Sequence, residues 1–291
     1  MIDLRIRSRV SGAELDDKIG KVCTDDDYNV LLTRDTLVRK PDGTILCIYR
    51  KHAFPPALLE ASYPTLHSLR SEKTTNRGLA SGTPRVRMYA GSRTYTKPTS
   101  SAIIGAYNRS SPYHFCRLTA WTGRETERFA ELRPLFQAIG QEFAALVPDR
   151  YAAQMAQVAR TEPDWVIPGT PFTTITVNNT YPTGVHTDKG DLEAGFSNLT
   201  VLRRGTYSGG IFLFPEYRVG VDMQDGDLLL MDAHEWHGNT TLTPLSEDAE
   251  RISVVAYYRT KMVACGTAEA EAQRAQQLAD TQTARRLAAA G

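Results

Sequence analysis

The sequence predicts an α+β protein whose core is a jelly roll or sandwich backed by helices. Two observations predict it. Between residues 172 and 259, short apolar runs recur at roughly 10–15-residue spacing with turn signals between them. Helical periodicity lies before and after that stretch, so strands and helices do not alternate as βαβ units require.

The N-terminal part reads as a hairpin over residues 28–50: Tyr28–Leu32, Leu37–Arg39 and Thr44–Tyr49, turning at Asp42-Gly43. Phe54-Pro-Pro56 then precedes a short amphipathic helix. Residues 70–133 hold twelve Lys and Arg against four acids, a net of +8. Gly, Ser, Thr and Pro are frequent up to residue 112, which predicts loop. Such a segment suits a phosphate backbone. The competing reading is a solvated surface balanced by acids such as Asp16-Asp17 and Asp25-Asp26-Asp27. Phe129, Leu132, Leu135, Phe136, Ile139 and Phe143 recur at helical intervals up to Pro148, and Tyr151–Val158 predicts a second helix. The β-rich stretch follows: Phe172–Val177, Leu199–Leu202, Gly209–Pro215, Leu228–Met231 and Ile252–Tyr258. An Ala-, Glu-, Gln- and Arg-rich tail from Thr267 to Ala290 predicts a surface helix.

Within the β-rich stretch stands His186-Thr187-Asp188, and 49 residues after Asp188 comes His237. On an extended strand, positions i and i+2 share a face, so His186 and Asp188 would aim at one point. A second imidazole from a distant strand completes two His and one carboxylate. That donor set leaves positions open on an octahedral ion and suits a non-haem Fe(II) oxygenase. His234 is the rival distal ligand; otherwise it is expected near the substrate. His234-Glu-Trp-His237 lacks the four-residue spacing of a zinc-protease helix. Arg251 opens the last strand, where its guanidinium could grip a 2-oxoacid carboxylate bidentately. Ser253 lies on the same face and could bond the same carboxylate. Asn178, Asn179 and Asp191 flank the ligand turn and are candidate substrate contacts, although Asn in a turn more often serves the backbone. Trp236 and Tyr217 are read as stacking residues or core. Arg203 and Arg204 are read as phosphate contacts or a solvated turn.

The bulk composition is that of an ordinary globular protein, 41% hydrophobic and 23% charged, with a net charge of +1. Four scattered cysteines without a CxxC pair argue against a disulfide framework or zinc knuckle and fit a reducing compartment. No apolar run reaches membrane-spanning length and the charged N-terminus is not a signal peptide, so a soluble, intracellular protein without a membrane partner is expected. No repeat or linker stands out. A single domain over 1–291 is expected, with hairpin, basic segment and helices over 1–165, the β-core over 166–263 and a C-terminal helix over 264–291.

The runs around His186-Thr-Asp188-Lys-Gly-Asp191, Gly-Gly-Ile-Phe-Leu-Phe-Pro215, Gly226-Asp-Leu-Leu-Leu-Met-Asp-Ala-His-Glu-Trp-His237 and Glu250-Arg251-Ile-Ser253 resemble those of the TET/JBP dioxygenases. The resemblance is strongest over about 90 residues. It implies a double-stranded β-helix core, Fe(II) on His186, Asp188 and His237, 2-oxoglutarate on Arg251, and O2 as co-substrate, with ascorbate as reductant in vitro. It further implies oxidation of the 5-methyl group of thymine or 5-methylcytosine in DNA to 5-hydroxymethyl or further oxidised bases. The compactness of the chain suggests a phage or microbial type; a cytoplasmic monomer is expected, in the bacterial host cytoplasm if phage-encoded. The alternatives are an Fe/2-oxoglutarate hydroxylase of a small molecule or protein side chain, and a catalytically inert nucleic-acid-binding module.

Overall fold

A computed structural model of the chain describes residues 1–74, 77–82, 88–89, 92–93 and 98–290. Among these, nine strands form the main sheet in the order Ile2–Arg5, Thr36–Arg39, Ile45–Arg50, Leu228–Met231, Ser197–Arg204, Glu250–Tyr257, Thr174–Asn179, Ser101–Tyr107, Arg117–Leu118. Only the first pair is parallel. A smaller sheet, Gly238–Asn239, Phe212–Phe214, Val219–Val221 and Val30–Leu32, faces it.

Period-two alternation sorts the strand side chains. Leu199, Val201, Leu229 and Met231 point between the sheets, against Phe212, Phe214, Val219 and Val221. Leu202, Leu228, Leu230, Ile252, Val254, Ile175 and Val177 point outward, onto the helices Pro56–Ser68 and Arg133–Leu146. Leu135, Phe136, Ile139 and Phe143 of the second helix are fully buried there. Each such side chain contributes roughly 1.5–3 kcal/mol of burial free energy. With its outer face sealed, the main sheet leaves the space between the sheets as the place for a cavity.

Several expectations need correction. The Asp42-Gly43 hairpin forms between Thr36–Arg39 and Ile45–Arg50, but Val30–Leu32 leaves it and pairs in parallel with Val219–Val221. Ser101–Tyr107, read as loop, is a main-sheet strand beside Thr174–Asn179; its Ala-Ile-Ile run carried the signal, diluted by Gly105. The strand Ile2–Arg5 and the helix Gly12–Lys18 were not foreseen, although Ser11 and Glu14 form the capping box that announces the helix. Of the basic segment, Arg85, Arg87 and Lys97 lie outside the described residues.

The cysteine reading also changes. Cys116 and Cys265 are joined in a disulfide, while Cys23 and Cys47 are free and buried. Beside that bond lies Glu271, a buried carboxylate near the start of the otherwise exposed helix Ala268–Ala290. It accepts from the backbone N–H of Cys116 at 2.7 Å and of Gly266 at 2.9 Å, and from the guanidinium of Arg109. Burial alone would raise its pKa; these donors outweigh burial and hold it at about 2 against an ordinary 4.5. A depressed carboxyl stabilises the fold above its unfolded pKa and ceases to do so as pH falls through the folded one. Glu271→Gln is therefore expected to cost roughly 2 kcal/mol near neutral pH. In thermal melts the difference from wild type should shrink as pH falls from 4.5 towards about 2.

Candidate active site

His186 and His237 meet in a single antiparallel bridge rather than in a long strand. They exchange both backbone hydrogen bonds: His186 N–H to the His237 carbonyl at 2.9 Å, and His237 N–H to the His186 carbonyl at 3.0 Å. Asp188 N–H donates to the Ala233 carbonyl at 2.9 Å, which ties the two segments together a second time. On its other side the His186 segment packs against Gly20, and Gly184 permits that contact, since a Cβ there would lie 2.7 Å from the Gly20 carbonyl oxygen.

The side chains converge from this clamp. Nδ1 of His186 lies 2.8 Å from the Gly184 carbonyl, and Nδ1 of His237 lies 2.9 Å from the Glu235 carbonyl. A carbonyl only accepts, so each Nδ1 carries the proton and each Nε2 keeps its lone pair. Those Nε2 atoms lie 3.7 and 3.5 Å from the two Asp188 oxygens, and one ligand atom from each residue fits within 4.8 Å of the others. Burial, reinforced by repulsion from His237, pushes His186 down to about 3. Burial opposes ionisation of Asp188, but the two imidazoles hold its carboxyl far below the usual range. His237 is raised, because the Asp188 carboxylate outweighs the effect of burial. Two imidazole lone pairs and an ionised carboxylate, each oriented by a further hydrogen bond or charge, are what a divalent iron site requires.

A half-buried network holds the loop that delivers His237. The Lys40 ammonium donates to Asp232 at 3.0 Å and to Glu235 at 2.8 Å, and the Tyr217 hydroxyl donates to Glu235 at 2.9 Å. Tyr217 is thus a core residue, not a stacking platform.

The three candidate ligands open into a cavity of about 440 Å³ between the sheets, with Asn178, Arg251 and Ser253 on its main-sheet wall. Arg251 is buried, and its Nη2 has no hydrogen-bond partner. A buried, unsatisfied guanidinium nitrogen is costly unless an anion occupies the space before it. The 2-oxoglutarate carboxylate fits that requirement. Asn178 accepts from Ser101 Oγ at 2.7 Å through its carbonyl oxygen, which leaves its amide N–H groups for the cavity. Asp191 also lines the cavity and accepts from Ser197 Oγ at 2.5 Å. Trp236 lines it as well.

Asn179 is a correction. One residue along the strand from Asn178, it faces the opposite side and donates to Glu250 at 2.6 Å, in a network with Tyr63 and His67. His234 stands apart from the three-residue cluster: it pairs with Asp232 at 3.4 Å and lines a groove adjoining the cavity. Arg203 and Arg204 are engaged by Asp222 with Tyr207 and by Glu60 with Tyr63.

Sequence reasoning missed Arg77, Tyr107 and Arg259 in the cavity wall. Arg259 stacks on Tyr107 at 4.1 Å and donates to Asn108 Oδ1 at 2.6 Å. Its signal was present: counting by two from Arg251 and Ser253 reaches Tyr257 and then Arg259. Arg77 and Tyr107 come from the segment read as loop and had no such signal.

Comparison with known proteins places these features. The family described as Tet_JBP, oxygenase domain of the 2OGFeDO superfamily, matches residues 105–260. The thymine dioxygenase JBP1 of Trypanosoma brucei brucei is 38% identical over 168 residues, 56% of this chain and 19% of that protein. JBP1 of Leishmania braziliensis is 34% identical over 167 residues, 56% of this chain and 20% of that one. The chain thus matches about a fifth of the length of these relatives. The structure of NgTET1 in complex with 5mC DNA superposes with a TM-score of 0.60 at 15% identity, covering 82% of this chain and 81% of that one. That likeness shows the fold, the expected double-stranded β-helix. By the match over more than half its length, the chain belongs to the Tet_JBP family and is a 2-oxoglutarate- and Fe(II)-dependent dioxygenase family enzyme.

Proposed function

We propose that the protein oxidises the 5-methyl group of a pyrimidine base in DNA, with thymine as the first candidate and 5-methylcytosine as the second. The carrying observation is the cavity that joins the His186–Asp188–His237 cluster to the unpartnered Arg251 guanidinium and to a polar wall. The relatives' names, thymine dioxygenases, support the choice of base.

In this reading His186, Asp188 and His237 hold Fe(II), and Arg251, with Ser253 beside it, binds the distal carboxylate of 2-oxoglutarate. With O2, that pair would supply oxidation of the methyl C–H bond to an alcohol while 2-oxoglutarate is converted to succinate and CO2. The chain's own part is to position and to exclude water. The Nδ1 hydrogen bonds fix each imidazole, and Arg251 orients the 2-oxoacid. Asn178 and Asp191 present an amide and a carboxylate that can bond a base edge. A base in duplex DNA must be extruded to reach them, at a cost of a few kcal/mol.

Three outcomes are expected. Nucleosides from 5-methylcytosine-containing DNA, incubated with enzyme, Fe(II), 2-oxoglutarate and ascorbate, should show 5-hydroxymethyluracil by mass spectrometry, absent with His237→Ala. 5-Hydroxymethylcytosine instead would transfer the reading to the other base. Succinate formed without any oxidised base would overturn it. Arg251→Lys should raise the half-saturating 2-oxoglutarate concentration about 10- to 100-fold, since one charge-assisted bond and the planar fork are lost; an unchanged value would remove Arg251 from that role. Asp188→Ala should abolish Fe(II) binding in anaerobic titration, and retained stoichiometric binding would defeat the ligand assignment.

A further inference from the structure

Beside the metal cavity runs a second, larger groove of about 1200 Å³. The two share Lys189, Gly190, Asp191 and Arg259 as lining, so one opens onto the other. We propose that this groove carries the phosphodiester backbone of the strand whose base enters the cavity, an inference that rests on the function proposed above.

Charge and availability support it. Lys189 and Lys261 line the groove, are exposed and carry no ion pair among the described residues. Arg150 joins them, its guanidinium stacked on Phe196 at 4.4 Å and donating to the carbonyls of Glu193 and Gly195. Against these cations stands one exposed acid, Glu193; Asp191 is buried and held by Ser197. Arg109 also lines the groove but is committed to Glu271. Ser110 and Ser111 supply hydroxyls on the same wall. Free ammonium groups along a polar channel leading to a reactive centre suit a phosphodiester chain, whose phosphates neutralise them in series.

Several cations of the basic segment are poorer candidates. Among its described cations, Arg124 pairs with Glu72, Arg128 bonds Ser68, Lys73 bonds Ser100, and Arg117 lies against Tyr113 and Tyr107. Lys189 and Lys261 both fall outside that segment.

The test measures binding of a short fluorescein-labelled thymine-containing DNA to the full chain by anisotropy, across a salt series. Lys189→Ala/Lys261→Ala is compared with wild type, with Arg7→Ala, an exposed charge near the opposite edge of the main sheet, as control. Each lysine removed should flatten the slope of log K against log salt by roughly one. Lys189→Arg/Lys261→Arg should restore it, and Arg7→Ala should leave it unchanged. An unaltered slope in the double alanine variant, an equal change with Arg7→Ala, or no DNA binding by wild type would each overturn the groove assignment. Base oxidation is read separately. Oxidised base with an unaltered slope sinks the groove alone, whereas a flattened slope without oxidised base keeps the groove and sinks the proposed reaction.

Discussion

The reciprocal backbone pair between His186 and His237 is the constraint on which the site depends. Two hydrogen bonds hold together segments about fifty residues apart and set the separation of the imidazoles before any metal arrives. The Nδ1 contacts to Gly184 and Glu235 then remove the freedom of each ring to rotate or change tautomer. Around this clamp the fold supplies one hard wall, the main sheet, and one thin one, the smaller sheet. The wall is hard because helices seal its outer face with fully buried Phe136, Phe143 and Leu135. Side chains alternate along each strand, so the same sequence that fills the core with Ile252 and Val254 must present Arg251, Ser253 and Val255 to the cavity.

That alternation explains what could be read beforehand. The candidate ligands, Arg251 and Ser253 stood out because a period of two converts spacing into direction. The same rule separates Asn178 from Asn179: adjacent residues on one strand cannot both face the cavity, and Asn179 is spent on Glu250. Weak signals lay where partners are distant. Ile2–Arg5 and Ser101–Tyr107 become strands by pairing with distant segments, a tertiary effect that adds to a local propensity too weak to announce them alone. The place of Tyr107 and Arg77 in the cavity follows from that pairing and the loop near it, not from either residue's surroundings in sequence.

Net charge proved a coarse guide for a related reason. A count over residues 70–133 weighs every guanidinium equally, whereas the folded chain commits several of them to carboxylates, hydroxyls or aromatic rings. A cation paired with a carboxylate has little net charge left for a ligand, one bonded to neutral groups keeps its charge but has fewer donors free, and an unpaired lysine retains both. What matters for a polyanion is the distribution of unspent charge over a surface, which only the fold displays.

The bond between Cys116 and Cys265 spans a sequence separation of 149 residues. Every candidate ligand, from His186 to Arg251, lies inside the loop it closes. In the unfolded chain such a tether removes chain entropy on the scale of several kcal/mol. Topologically, the bond belongs to the catalytic core and not to the C-terminal helix beside it. The candidate ligands therefore sit within a covalently closed loop, and reduction of that one bond would open it.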